Sequence, residues 1–544
     1  MAARPSITAV ALALGGCTPT LPKPTGSDSG DPRPVTTVGP ARDSGDTPTT
    51  TEPDPGPGPG PCGLSVALTD RFFTEGDTVT FNVSCASGVL AEASLSMAGA
   101  GDGATLDGTS GAFRWVTDGR SGGRYDVTIA AAAPDGLETA NVTFWVADSP
   151  TADNARAPQP LDYTEEWGLP VVHIEMDAAL TEEEQDATIT VRSEQVTGFA
   201  KIRGASSTSY PKRSYTLDFV SDELAVTEWG DRSREHMVLI TSFDDNSYIR
   251  QKLGYDLWMA MAEHTGDQRL TPRTFFTVVY INGEYQGLYT ACDRIDDEFL
   301  RHMGTEGEGS LYKSVSHDAN FYRTDAGGRT KTWLGVGYEK KEGDPEDWND
   351  LYALVGLTGE SNDESLWNNH PGIEMEEFAD WMLWAQLTLA QDSAGKNAYL
   401  FADPVAERWR FAPWDLNESW GQNWYTLRLS ATTRNDYYWH NRVFYMLQEY
   451  PEARSFVEAR YALYSNGGPF QTDVIHTMMD DYVTTLGPNI DRDWARWEDQ
   501  YRAFDRWRGS RDSAGDWTTP AEELAYMKSW IAERLDMYEA DGPI

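Results

Sequence analysis

Positive charge is what this sequence has least of. Its 544 residues include 44 Lys and Arg against 86 Asp and Glu, a formal net charge of −42. Such a chain does not attract nucleic acid or anionic membranes by general electrostatics, and the acidity suits solubility or a cation-rich medium. Cysteine is scarce as well: Cys17, Cys62, Cys85 and Cys292 are the full set and form no C-x-x-C pair. No H-E-x-x-H, G-x-S-x-G or P-loop pattern occurs, so the commonest hydrolase and NTPase signatures are missing. No run of 18 apolar residues exists, so no segment reads as a transmembrane helix. What is present is ordinary globular material, 40% hydrophobic and 12% aromatic, long enough for two or three domains.

The N-terminus reads as an address. Residues 1–17 carry Arg4, a short apolar run from Ile7 to Leu14, and then Leu14-Gly15-Gly16-Cys17. The run has signal-peptide length. Its end resembles a bacterial lipobox, in which Cys17 would be lipidated and become the first mature residue; a secretory signal with an incidental Cys is the competing reading. Residues 18–61 are dominated by Pro, Thr, Gly, Asp and Ser. They have too little to bury to offset ordering entropy, and their prolines make a semi-stiff spacer. Anchor, spacer and folded domains suit display at a bacterial envelope, facing the periplasm or the exterior.

Residues 62–148 read as short strands between turns. Val79, Phe81, Val83 and Cys85 alternate onto one face. The stretch with Phe113, Trp115, Gly123, Tyr125 and Val127 resembles bacterial immunoglobulin-like domains. Cys62 and Cys85 can form a disulfide in an oxidising compartment.

The remainder, residues 160–544, is a larger domain mixing strands and helices. Leu169–Met176 is a buried-type strand, and the segments ATITVRS and GFAKIRG continue the pattern. Between Gln195 and Leu217 there is no Asp or Glu, whereas Lys201, Arg203, Lys212 and Arg213 all fall there. A cationic island in so acidic a chain suits an anion site, with Ser206 and Ser207 as further donors; a solvated strand edge is the plainer alternative. Ile249, Leu253, Leu257 and Met261 recur every four residues, as on an amphipathic helix. Asn282-Gly283 between two apolar runs signals a hairpin. Trp494, Trp497, Tyr501 and Phe504 mark one helix face that reads as core. Thr519-Pro520-Ala521-Glu522 opens a last helix with a capping box.

The chemistry gathers between Gln391 and Gly421. A helix ending near Gln391 delivers Asp392; Asn397 follows five positions later, then a short hairpin, then Asp415. A carboxylate can orient a hydroxyl and accept its proton. An amide carbonyl and a second carboxylate are hard oxygen ligands for the divalent cation that a triphosphate needs. Protein kinases arrange base, metal-binding Asn and metal-binding Asp in this order. The same residues also serve simple polar turns.

Several motifs in one order are more specific than any one. RGASSTSYPKRSYTLDF, the helix after FDDNSYIRQKLGYDL, VVYINGEYQGLY, LYK at Leu311–Lys313, and KNAYLF followed by PWDLN together resemble the spore coat protein H (CotH) kinase family. The likeness runs from about Leu169 to Gly421. It implies an α+β fold, an atypical, two-lobed protein-kinase-like domain, here preceded by a small all-β immunoglobulin-like sandwich. It also implies transfer of the ATP γ-phosphate to a protein Ser or Thr hydroxyl with Mg²⁺ or Mn²⁺. On that likeness Asp392 is the catalytic carboxylate, Asn397 and Asp415 hold metal, and Lys212 contacts phosphate with Arg203 and Arg213 beside it. Two departures stand out. Asn417 replaces the second Asp of a W-D-x-D pattern, and Asp293 stands where many members have Glu. The rival reading is a catalytically inactive surface binding or structural protein on the same fold.

Overall fold

The computed structural model describes residues 62–544 apart from 87–93, 134–135, 150–157, 159–161, 221–222, 231, 306–307 and 512–516. The expected signal, Cys17 and the 18–61 spacer lie outside the described residues, as does most of the boundary expected between residues 148 and 160. No described helix is long and apolar enough to cross a membrane.

The N-terminal region is all strand: β1 (Leu64–Ala67), β2 (Phe72–Thr74), β3 (Thr78–Cys85), β4 (Ser94–Ala98), β5 (Thr105–Leu106), β6 (Ala112–Val116), β7 (Gly123–Ala133) and β8 (Gly136–Ala147). They form two four-stranded sheets, ordered β1-β3-β6-β5 and β2-β8-β7-β4. Alternation decides which face is buried. Val79, Phe81 and Val83 from one sheet meet Tyr125, Val127 and Phe144 from the other in a single apolar core. Cys62 and Cys85 are joined by a disulfide, with their Cα atoms 5.1 Å apart.

A closed barrel follows. Its strands are β9 (Glu165–Glu166), β10 (Leu169–Glu175), β11 (Gln185–Val191), β12 (Glu194–Arg203), β13 (Ser214–Phe219), β14 (His236–Thr241), β15 (Thr274–Ile281) and β16 (Glu284–Cys292). Their order is β11-β12-β13-β14-β16-β15-β10-β9, and a β10–β11 pairing closes the ring. The β10–β15 pair is parallel, and the other pairings in the ring are antiparallel. Strands β10, β11, β12, β15 and β16 were legible from their apolar runs while β9, β13 and β14 were not read, and closure depends on long-range register that local pattern does not encode. Val172, Ile189, Leu217, Leu239 and Ala291 fill the interior. Their neighbours Val171, Val238, Ile240, Val278 and Leu288 face outward into the main core. Burial on both faces explains why these strands read as continuous apolar runs. The β15–β16 hairpin turns on Asn282 (φ 50°) and Gly283 (φ 79°), the left-handed pair that a two-residue turn requires.

Helix α1 (Arg250–Thr265) packs against the outer barrel wall. Asp245 prepares its start by accepting from the amides of Ser247 and Arg250, both at 2.9 Å. After α2 (Asp297–His302), a second sheet forms from β17 (Ser310–Ser314), β18 (Tyr338–Glu342), β19 (Ala398–Asp403) and β20 (Arg408–Pro413), ordered β18-β17-β19-β20. Helices α3 (Asn349–Glu360), α4 (Asp363–Asn368) and α5 (Met375–Thr388) lie between β18 and β19 in the chain. Helix α5 is buried on all sides, including Glu377, Asp380 and Gln386. Its Trp381 stacks on Phe411 of β20, ring centroids 4.0 Å apart.

The rest is helical: α6 (Arg442–Glu449), α7 (Pro451–Ser465), α8 (Thr472–Leu486), α9 (Asn489–Ala503), α10 (Asp505–Arg508) and α11 (Pro520–Asp541). Trp497 and Tyr501 of α9 join Tyr210, Phe243 and Trp507 in a separate apolar cluster, with Trp494 and Phe504 at its edge. Thr519 and Glu522 form a reciprocal capping box at the start of α11.

Candidate active site

The loop between α5 and β19 is held from four directions. Leu389 turns the chain out of α5 with φ 52°. The carbonyl of Ser393 accepts from Trp381 Nε1 at 2.8 Å, and that of Ala394 accepts from Asn441 Nδ2 at 2.6 Å. A Cβ at Gly395 would lie 2.5 Å from the His440 carbonyl oxygen and 2.9 Å from that of Ala319, so a larger residue cannot pass there. Asn397 takes φ 53° while its amide donates to Ser314 O at 3.2 Å. At the far end of the hairpin, Asp415 also adopts a left-handed backbone, φ 59°. It is flanked by Leu416 N, which donates to Gln251 Oε1 of α1 at 2.9 Å. Strained non-glycine residues held by such networks are commonly found at functional sites.

These segments line three contiguous chambers of one cleft. The outer chamber, about 660 Å³, includes Asp392, Lys396, Asn397, Asp415, His317 and Arg506 in its walls. The middle chamber, about 340 Å³, shares Lys396, Asn397, Asp415 and Asn417 with it and adds Arg203, Lys313 and Asp244. The inner one, about 230 Å³, continues past Arg203, Lys313 and Trp414. Arg203 and the distant Asp392–Asp415 segment therefore meet along one cleft. Ser206 and Ser207, at the short 3-10 turn Ser206–Ser209, line it as well.

Lys212 does not join them. Its side chain is fully buried, and its Nζ donates to Asp493 at 2.6 Å and to Ser242 at 2.8 Å, with the Tyr289 ring 5.0 Å away. Burial pulls its pKa down while Asp493 pulls against it. The expectation of a surface phosphate contact is corrected: Lys212 is an internal tie between the barrel side and α9. Arg213 is exposed and lines none of the three chambers. Of the cationic island, Arg203 faces the middle and inner chambers and Lys201 the inner one. Asp293 is also structural, paired with Arg234 at 2.8 Å and accepting from Arg273 N at 2.9 Å.

The charges of the cleft act on one another. Asp392 pairs with Lys396, and His317 Nε2 lies 3.7 Å from its other oxygen. Burial opposes the charged form of Lys396, but Asp392 lifts its pKa above the ordinary lysine value. Asp415 is exposed to the cleft, but the protein packed around it still costs its charge hydration. That desolvation holds its pKa above the usual carboxylate value, against the pull of Lys313, Arg203 and Lys396. Burial pushes Asp244 up to about 7, with Asp415 and Asp245 adding to the effect and a 2.7 Å bond from Asn417 Nδ2 opposing it. Glu418 is pushed to about 8 by burial and by Asp392 and Asp415. Lys313 is drawn down to about 8 by burial and Arg203. Arg203 and Lys313 have no carboxylate partner among the described residues; both sit over Trp414, 5.0 and 6.0 Å from its ring centre.

Among the described residues, no group of three or more His, Cys, Asp or Glu side chains forms a ready metal cage. Asp415, with the amides of Asn397 and Asn417, supplies hard oxygen ligands at the junction of two chambers.

The last helix braces the site from behind. Arg534 of α11 donates to the carbonyls of Leu387, Ala431 and Thr433 at 3.0, 2.6 and 2.6 Å, and also to that of Gln386. Arg250 of α1 is fully buried between Asp245 and Glu523 of α11.

Residues 200–538 match the family described as CotH kinase protein. The chain belongs to that family. It is also similar to inner spore coat protein H of Bacillus subtilis (strain 168), 25% identical over 233 residues. That stretch covers 42% of this chain and 60% of the length of that relative.

Sequence reasoning missed Asp244, Lys313, Lys396, Glu418, Arg434 and Arg506 as cleft residues. Lys313 stood inside the L-Y-K motif and Lys396 beside Asn397, so both carried a local signal. Arg434 and Arg506 lie in unpatterned stretches and had none.

Proposed function

We propose that the chain is an atypical protein kinase that transfers the ATP γ-phosphate to a protein hydroxyl. The observation that carries this is that Asp392, Asn397 and Asp415 line one chamber, with Arg203 and Lys313, which form no salt bridge among the described residues, on the wall of the adjoining one. In this reading the barrel serves as the small lobe and the helical region as the large lobe. The N-terminal sandwich is an immunoglobulin-like spacer. The donor lies in the middle and inner chambers, where Arg203 and Lys313 take its phosphates. Asp415, Asn397 and Asn417 would hold Mg²⁺ or Mn²⁺, which supplies charge neutralisation to the triphosphate. Asp392, oriented by Lys396, accepts the hydroxyl proton as the acceptor oxygen attacks the γ-phosphorus and ADP leaves. The relative's name places that protein in a spore coat; together with the lipobox-like Cys17 this supports lipid-anchored display at the envelope.

The test is a labelled-ATP transfer assay on the full chain with Mg²⁺ or Mn²⁺. Asp415→Ala should lose metal-dependent nucleotide binding along with transfer. Asp392→Asn should still bind nucleotide but transfer about 10²- to 10⁴-fold more slowly, the span of positioned acid–base catalysis. Wild-type rates in both folded variants, or no nucleotide binding by the wild type, would return the protein to a binding role.

A further inference from the structure

The second sheet has a groove at the end remote from the cleft. Strands β17, β19 and β20 connect the two places. Ser310, Ala402 and Trp409 line the groove, whereas Ser314, Asn397 and Trp414 line the middle chamber. Four or five chain positions separate the members of each pair, roughly 15 Å at about 3.3 Å per residue. We infer that this groove docks an extended segment of a partner protein in which apolar side chains alternate with Lys or Arg. The inference is independent of the phosphotransferase reading, because no residue lining the groove lines any chamber of the cleft.

The floor of the groove is apolar. Asp350, Ala353, Leu354 and Leu357 follow one another at helical spacing and give one face of α3 to it. Ala402, Pro404 and Trp409 supply the opposing apolar surface, and the space is about 740 Å³. A volume of that size admits a few side chains of an extended peptide. The rim is acidic. Glu308, Asp344 and Glu407 are exposed around it. Asp344 accepts from the Glu346 amide at 3.0 Å, while Glu308 and Glu407 make no ion pair or side-chain hydrogen bond among the described residues. The other two acids of the lining are used within the fold. Asp350 accepts from the Tyr312 hydroxyl at 2.5 Å, and Asp403 from the amides of Val405 and Ala406, both at 3.0 Å. The nearby cations are used as well. Arg408 pairs with Glu374. Lys340, next to Gly343 of the lining, donates to the Asp347 carbonyl and lies 5.2 Å from the Tyr312 ring centre. The exposed carboxylates therefore ring an apolar floor with no cation to answer them. Lys and Arg fit such a place beside apolar residues, because their aliphatic stems lie along apolar surface while their charged heads stay at the wet rim. A purely apolar ligand would leave the acids unanswered, and a purely cationic one would leave the floor in water.

Calorimetry on the full chain tests this with three short peptides of equal length that alternate Leu with Lys, Leu with Glu, or Ala with Lys. The Leu/Lys peptide should bind about tenfold tighter than either of the others. That is the scale of two or three exposed ion pairs, and about that of burying one Leu side chain. Ala353→Trp, which fills the groove from an exposed position on α3, should abolish the binding. Glu308→Lys together with Glu407→Lys should erase the preference for Lys over Glu. The same reversal at Asp536 and Glu539, exposed on α11 and outside the groove, should leave the preference unchanged. Equal binding of the Leu/Lys and Ala/Lys peptides overturns the proposal, since so acidic a chain then draws any cation by general electrostatics. An equal loss in the α11 variant overturns it too, as does the absence of binding by the wild type. Dimerisation of the wild type in sedimentation that Ala353→Trp abolishes would assign the groove to a second copy of the chain and also overturn the proposal.

Discussion

Buried charge is treated differently in the scaffold and in the cleft. Behind the barrel, Lys212 meets Asp493, Arg250 meets Asp245 and Glu523, and Arg492 meets Glu166, each of these cations almost wholly enclosed. Around the cleft, Arg203, Lys313, Arg434 and Arg506 form no salt bridge among the described residues, Asp415 acts on Arg203 and Lys313 only from a distance, and Asp415, Asp244 and Glu418 crowd one another. Removing one member of a buried pair strands the other, so the first group answers to stability. The second group holds potential that a ligand can discharge. The net charge of the chain hides this division, because it is a matter of which charges have partners.

The contrast breaks most readily at Lys212. Lys212→Ala leaves Asp493 buried without its cation and should cost about 3–5 kcal/mol of stability. Urea denaturation measures it. A variant of unchanged stability that loses nucleotide affinity would move Lys212 back to the site.

A buried carboxylate without a full counter-charge gives the next effect. Glu377 accepts from Phe411 N at 2.7 Å, and burial pushes its pKa up to about 7. Burial does the same to Glu298, also up to about 7. Between the ordinary value near 4.5 and about 7, the folded state holds a proton that the unfolded chain has released. Stability therefore falls as pH rises through that window and levels off above it, by roughly 3 kcal/mol for Glu377. Glu377→Gln keeps the acceptor oxygen and removes the titration. Its unfolding free energy should lose less than that of the wild type between pH 5 and pH 8, and equal losses would refute the assignment.

The smallest effect belongs to the cleft. With Lys313 drawn down to about 8, its charge fades as pH climbs from 7 to 9. Nucleotide affinity should weaken several-fold over that range, about what one screened cation–phosphate contact contributes. Lys313→Arg, which stays charged, should hold its affinity at pH 9. Parallel pH curves for the two proteins would show that Lys313 does not face the phosphates.

Much of this was readable in the chain because it is local. The α5 helix, the Asn282-Gly283 turn, the capping box at Thr519 and the order of Asp392, Asn397 and Asp415 all follow from neighbours in sequence. Barrel closure was not, since β10 and β11 could be recognised without knowing that β15 would lie on the other side of β10. Lys212 misled for a related reason. Its residue type and its acid-free surroundings were those of a surface anion site, and the partner that buries it, Asp493, lies 281 positions away. Arg203, nine positions earlier in the same island, reached the cleft because it ends β12 at the rim, whereas Lys212 lies two residues before β13.

The reach of Arg534 sets an order of events. Its donors fasten the end of α5 to the 431–433 segment, and it belongs to α11, which follows both of them in the chain. A nascent polypeptide still waiting for α11 to leave the ribosome has every residue of the cleft loop but lacks the brace at the end of α5. The same holds while a chain is threaded N-terminus first across a membrane. The brace on the cleft therefore forms late in biogenesis, after translation of α11 and, for an exported protein, on the far side of the bilayer. A proteolytic cut ahead of α11 would return the molecule to that earlier state.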